Sequence, residues 1–289
     1  MNGFELALQL LPPRYLDMRC RERMSSAEEL RLRLGQPLMM LSQGREYPVN
    51  GEEIEETDLL RTLEKATGAS LHTVGPALSR GYISYHGLRI GVCGTVVEQD
   101  GQMRGFRRFS SLAIRIPKEC RGILDQILRQ IDMSGTENIL IISPPGVGKT
   151  TALRELVRQL SERGWRIGVV DERWEIAAAE DGKAQFSLGK HCDVISGVRK
   201  AQGAMMLLRG MNPQMIAMDE ITAPEDVEAI REITGCGVGL LAAAHAASLE
   251  DLSRRPLYRS LLDEQVFHAV IEISQKDAER CYQLRRIGA

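Results

Sequence analysis

The 289-residue chain carries 37 Lys and Arg against 39 Asp and Glu, a formal net charge of −2, with 43% hydrophobic and 26% charged residues. Such a chain can bury a core in one large or two modest domains, which excludes fibrous, low-complexity and intrinsically disordered classes. Its neutral balance and its aromatic content of 4% argue against nucleic acid as a partner.

Met1 to Leu11 carries Glu5 and no positive n-region, so it reads as a short amphipathic helix ending at Pro12-Pro13 and not as a signal peptide. Glu29 to Leu34 alternates like a half-buried strand, and a second apolar run, Leu38 to Leu41, follows Gly35 and Pro37. Thr57 to Ala66 reads as a helix capped by Thr57, with Leu59, Leu60 and Leu63 on one face. Gly81 to Ser84, Leu88 to Val92 and Thr95 to Glu98 read as three short strands separated by His86-Gly87 and Cys93-Gly94, with another at Ser111 to Ile116. These elements predict a small α+β domain over residues 1–120. A helical stretch from Gly122 to Met133, with Ile123, Leu124, Ile127, Leu128 and Ile131 on one side, predicts a linker over 121–136.

From Asn138 the texture changes. Apolar runs at Ile139 to Ile142, Arg166 to Val170, Met215 to Met218 and Leu240 to Ala244 alternate with helical segments. Strands that are apolar throughout belong to a parallel sheet covered on both faces. The predicted fold is therefore α/β: a P-loop NTPase (RecA-like) domain over 137–289 with a mainly parallel sheet, preceded by the smaller α+β domain.

The six cysteines show no CxxC or Cys/His spacing for zinc, so they are expected to be isolated buried thiols in a reducing compartment. The longest apolar stretch, Gly237 to Ala247, is too short to cross a bilayer, so any work at a membrane is expected to go through a partner.

The chemistry is concentrated in a few strand ends. Ser143-Pro144-Pro145-Gly146-Val147-Gly148-Lys149-Thr150 lies between the strand at 139–142 and a helix at 151–161. Glycines let the backbone turn around a phosphate, the helix N-terminus adds its dipole, Lys149 reaches the β/γ oxygens and the Thr150 hydroxyl ligates Mg2+. The binding loop is thus Pro145, Gly146, Val147, Gly148, Lys149, Thr150 and Thr151. The strict pattern has Gly where Ser143 stands. Asp219 and Glu220 end an apolar strand downstream, where Asp219 can hold Mg2+ and Glu220 can polarise the attacking water. Asp171-Glu172-Arg173 and His245 occupy comparable strand ends. The first can orient a water or the metal, or be an exposed turn; the second can contact the γ-phosphate, or be a structural histidine. Arginines suited to γ-phosphate charge are Arg199 and Arg209 in the second half and Arg89, Arg107, Arg108 and Arg115 in the first.

Taken in order, Glu29 to Leu38, Gly81 to Gly94, SPPGVGKTT, Val169 to Ala177, Met205 to Ile221 and Ala242 to His245 resemble the stage III sporulation AA family, within the type II and type IV secretion (traffic) P-loop ATPases. The resemblance implies a cytoplasmic ring ATPase, a hexamer, using ATP and Mg2+. It would act on the mother-cell side of the mother cell–forespore channel, peripheral to the membrane through a membrane-embedded partner. It also implies roles: Lys149 and Thr150 in the phosphate loop, Asp219 and Glu220 as the Walker B pair, Asp171 and Glu172 as an acidic box, His245 as the histidine box, and Arg89 or Arg115 as fingers. Glu220, Lys149, His245 and Glu172 are thus the expected catalytic residues. The chain departs from that pattern at Ser143, at Ala243 in place of Thr, and at Ala246 and Thr222 in place of Gly. Loss of the threonine hydroxyl is expected to cost about 1–3 kcal/mol, slowing turnover while sparing binding. An ATP-hydrolysing motor is the leading reading. An ATP-bound ring scaffold with little turnover is the alternative. A nucleic-acid-dependent ATPase using the basic run Arg104–Arg108 is a third, disfavoured by the charge balance and the lack of a GxxG clamp.

Overall fold

The computed structural model describes residues 3–68, 81–99, 102–117, 120–131, 135–179, 182–276 and 279–287, and the chain forms two compact units, Met1–Lys118 and Glu119–Ala289.

In the first unit, α1 (Gly3–Leu10) and α2 (Met18–Met24) precede β1 (Glu29–Arg33), β2 (Pro37–Ser42), β3 (Arg45–Glu53), α3 (Glu56–Ala66), β4 (Tyr82–Tyr85), β5 (Leu88–Gln99) and β6 (Gln102–Arg115). The strands form one antiparallel sheet in the order β3-β2-β1-β6-β5-β4. Its period-2 pattern sends Leu30 and Leu32 of β1, Ile90 of β5, and Leu112 and Ile114 of β6 into one core with Leu8 of α1 and Leu59 and Leu63 of α3. Two expectations need correction here. The α3 N-cap is Glu55, whose N–H is accepted by Asp58 Oδ2 at 2.8 Å, while Thr57 lies inside the helix. The runs 88–92 and 95–98 are a single strand: Cys93-Gly94 marks a register shift and not a turn. A Cβ at Gly94 would collide with the Arg108 carbonyl, so a glycine is required where the two backbones pinch together. The basic run expected as a nucleic-acid contact lies in β6, paired with β5.

In the second unit, α4 (Asp125–Leu128) is followed by β7 (Ile139–Ser143), α5 (Lys149–Glu162), β8 (Ile167–Asp171), β9 (Cys192–Ser196), α6 (Lys200–Gly210), β10 (Met215–Met218), α7 (Pro224–Gly235), β11 (Gly239–His245), α8 (Leu249–Ser253), α9 (Pro256–Asp263), β12 (Ala269–Lys276) and β13 (Glu279–Arg286). The sheet order is β13-β12-β7-β11-β10-β8-β9, parallel throughout except for the β12–β13 hairpin at one edge. Apolar strands alternate their side chains between two cores. Ile139, Ile141, Val169, Ala217 and Leu241 meet Leu153, Leu156 and Leu160 of α5. Leu140, Ile142, Val170, Ile216 and Leu240 meet Leu207 of α6, Ile230 and Ile233 of α7, and Leu261 of α9.

The helix expected over 122–133 is helical only at Asp125–Leu128. Gly122 takes φ 78° and gives its N–H to Glu155 Oε1 at 2.7 Å, so this segment is strapped onto α5 in a turn, and Met133 lies outside the described residues. None of the six cysteines is in a disulfide, and only Cys20 is fully buried; Cys93, Cys236 and Cys281 are exposed on a strand, a helix end and the edge hairpin. Burial pushes the Cys192 thiol up to about 12, with Asp193 adding to the effect.

Candidate nucleotide site

Four adjacent parallel strands, β7, β11, β10 and β8, bring their C-terminal ends to one edge of the second unit. The register aligns them: His245 pairs with Ser143, and Met218 pairs with both Ala242 and Val170. The residues that follow each strand therefore converge, as ligand-binding groups do at the carboxyl ends of open α/β sheets.

The phosphate loop leaves β7 at Ser143. That serine is buried, its Oγ lies 2.9 Å from the Pro144 carbonyl, and its own carbonyl accepts the Ala246 N–H at 3.0 Å. A hydroxyl is thus accommodated at the loop's entry. Gly146 (φ 77°) and Gly148 (φ 112°) hold left-handed backbone that side chains disfavour, and the space a Gly146 Cβ would occupy is open. Gly148 is the N-cap residue of α5 and gives no side-chain cap, so the first N–H groups of the helix, Lys149 to Thr151, are available to an anion. Pro145 and Gly146 are exposed, whereas Val147 anchors the loop in the core.

Lys149 is 5% exposed, and its Nζ lies 2.8 Å from Asp219 Oδ1 just beyond β10. Glu220 is half-buried, and its carboxylate makes no hydrogen bond or ion pair among the described residues. The turn that carries it is fixed from below: the buried Tyr258 hydroxyl of α9 accepts the Ile221 N–H at 3.1 Å. Burial, with the charges of Glu220 and Asp219 nearby, pushes that phenol well above its ordinary pKa, so it stays protonated. His245 ends β11 with Nδ1 buried and, among the described residues, unpartnered. A buried polar atom without a partner is uncommon, and here it belongs to the strand beside the phosphate loop.

Asp171 and Glu172 are held in two different ways. Asp171 is buried and its two oxygens accept the N–H groups of Glu175, Ile176, Ala177 and Ala178 at 2.7–3.0 Å. It therefore shapes the loop, and it also lines a small cleft with Glu172, Asp219 and Glu220. Arg154 of α5 holds the same loop, donating to the Ile176 and Glu175 carbonyls at 2.9 Å and stacking on Phe186 at 3.8 Å. Glu172 is left one-third exposed, bound by Lys200, and it walls a small cleft with Lys200, Asp219 and Glu220.

Sequence reasoning missed Arg280, Lys200 and Tyr258. Arg280 comes from the edge hairpin, and a Cβ at Gly148 would sit 3.3 Å from its Cζ, so a guanidinium lies against the phosphate loop from the same unit. No motif flags these residues, because each reaches the site only through strand order. Among the arginines that were flagged, Arg209 pairs with Glu232 on the surface, Arg115 pairs with Glu29, and Arg89 stacks on Tyr82 at 4.0 Å. Ala243 is buried in the apolar core under α5, so its methyl faces hydrocarbon.

A phosphate loop and an Asp-Glu pair on neighbouring strands of a mainly parallel sheet define a P-loop nucleotide-binding domain of RecA-like fold. In solved structures the fold resembles the Legionella pneumophila ATPase DotB (TM-score 0.63, 15% identity, 98% of this chain and 78% of that one). It likewise resembles the pilus retraction motor PilT with bound ADP (TM-score 0.64, 17% identity, 100% of this chain and 84% of that one). The chain belongs to the family "Sporulation stage III, protein AA", whose profile matches residues 8–283. It is 35% identical to the stage III sporulation protein AA of Bacillus subtilis (strain 168) over 256 residues, 86% of this chain and 82% of that protein.

Proposed function

We propose that the protein binds ATP with Mg2+ and hydrolyses it as a motor of the secretion type. The observation that carries this reading is the convergence of Lys149, Asp219, Glu220 and His245 at the ends of three adjacent strands. The residues fit the ligand: the space beside left-handed Gly146 is open, the first amides of α5 carry no side-chain cap, and the strand next to the loop ends in an imidazole whose Nδ1 has no partner among the described residues.

Gly146 to Thr151 would hold the phosphates through backbone N–H groups, with Pro145, which has none, shaping the loop, and Lys149 would exchange Asp219 for phosphate oxygens. Thr150 and Asp219 would hold the metal, which would supply charge neutralisation to the phosphates. Glu220, with no competing donor, accepts the proton of the attacking water, while Glu172 lines the same cleft. His245, at the end of the strand beside the phosphate loop, would contact the γ-phosphate, and Arg280 would supply a positive charge in cis. The buried, apolar setting of Ala243 supports turnover over the scaffold alternative, because a hydroxyl missing there removes no site contact.

Family membership supports the wider reading: a ring of six copies, acting on the mother-cell side of the forespore channel and docked on a membrane-embedded partner. Among the described residues no helix is long and apolar enough to cross a membrane. Steady-state phosphate release with Mg-ATP tests the reading. Turnover by the native chain that disappears in Glu220→Gln supports a motor; equal inactivity of both, when both bind ATP, supports the scaffold.

A further inference from the structure

Lys200 opens α6 with its side chain 6% exposed, a costly place for an ammonium unless it is paired. Its Nζ lies 2.5 Å from Glu172 Oε2, 3.3 Å from Thr222 Oγ1 and 3.9 Å from Asp226 Oδ2. Asp226 in turn accepts the N–H groups of Thr222 and Ala223 at 3.0 and 3.1 Å, closing the first turn of α7. One ammonium thus joins the residue after β8 to the turn after Glu220.

Neither carboxylate needs the lysine for solvation. Asp226 already has two amide donors, and the Glu172 side chain is 32% exposed to water. What the lysine supplies is position. A cavity of about 300 Å3 opens beside it, lined in part by Glu172, Arg199, Gln202, Thr222 and Glu225, and gives an unheld Glu172 room to swing away. On the other side, Glu172 and Lys200 share a cleft with Asp219 and Glu220.

We propose that Lys200 is a positioning residue for hydrolysis, which holds Glu172 and the 220–223 turn in register so that Glu172 and Glu220 face one cleft. The proposal rests on the ATPase reading above. Lys200 touches neither the phosphate loop nor the metal-binding pair, so its removal changes the chemical step and spares nucleotide binding.

The test is a kinetic cycle on the full chain: native protein, Lys200→Met, Glu172→Gln and the double variant, each with Mg-ATP turnover, nucleotide Kd and a melting curve. Lys200→Met is expected to lower kcat about tenfold with KM and Kd within about twofold, and to have no further effect in the Glu172→Gln background. Thr222→Val removes one acceptor without uncovering a charge; it is expected to lower kcat severalfold and serves if Lys200→Met does not fold. An unchanged kcat, or losses from Lys200→Met and Glu172→Gln that multiply, overturns the role of Lys200 alone. A native chain that binds ATP without turnover overturns the ATPase reading and this inference with it.

Discussion

Lys149 Nζ and Asp219 Oδ1 stand 2.8 Å apart, so the lysine of the phosphate loop and the first carboxylate beyond β10 form an ion pair across two strands. Each neutralises the other, and on the proposed reading nucleotide and metal would compete for this pair. Lys149→Ala is expected to weaken ATP binding by about 2–3 kcal/mol, roughly 100-fold, measured by calorimetric titration. Asp219→Asn is expected to abolish the Mg2+ dependence of binding while leaving metal-free affinity near native.

Glu220 differs from Asp219 in having a carboxylate with no donor of its own among the described residues. Glu220→Gln is expected to keep the fold and the ATP Kd and to lower kcat about 10²–10⁴-fold. A variant with native turnover would place the base elsewhere.

Arg280 and Gly148 constrain each other. An alanine at 148 would need φ near 112°, which an L side chain resists by about 1–3 kcal/mol, and would press on the Arg280 guanidinium. Gly148→Ala is expected to lower nucleotide affinity tenfold or more. Arg280→Ala is expected to lower it about tenfold, the loss of a charged hydrogen bond, with an unshifted melting temperature because Arg280 is exposed. A melting loss as large as the binding loss would mark Arg280 as structural.

Asp171 accepts four backbone amides. Asp171→Ala is expected to destabilise the second unit by about 3 kcal/mol or more, roughly 6–12 °C in Tm, with residual activity tracking the folded fraction. Turnover lost at full stability would return Asp171 to the chemistry.

Glu155 predicts a pH dependence. Burial opposes its ionisation, but hydrogen bonds from Arg158, Gln159 and the Gly122 N–H outweigh that and hold the carboxyl below the usual carboxylate range. The unfolded chain therefore binds this proton more tightly than the folded one. The stabilisation is complete above the ordinary glutamate value of about 4.3 and drains away as pH falls through the lower folded value. Glu155→Gln is expected to lower Tm at pH 7, with the gap to the native protein narrowing as pH falls below about 4. A gap independent of pH would assign the loss to packing.

Much of this molecule was legible along the chain because its signals are local. An apolar strand, a glycine turn and a helix start are contiguous at 139–162, and Met215–Glu220 carries its own strand and carboxylates. Those stretches determined the α/β class and the phosphate loop without help from the rest of the fold. The hairpin β12–β13 and strand β9 left weaker marks, since an edge strand need bury only part of its surface: β13 alternates exposed and half-buried residues, and β9 buries none fully. The linker misled because its apolar spacing suits a helix, whereas Gly122 and the Glu155 carboxylate turn it.

The division of labour within the site was decided by tertiary structure alone. Asp171 and Glu172 are neighbours of equal charge in sequence. One is held by a ring of amides from the loop that follows and the other by Lys200, 28 residues away, although both line one cleft. Arg280 stands 132 positions from Gly148, and no pattern in the chain joins them; they meet because β13 pairs with β12, and β12 with the strand that feeds the phosphate loop. Sequence period fixes which face a side chain takes, and only the order of strands fixes what that face meets.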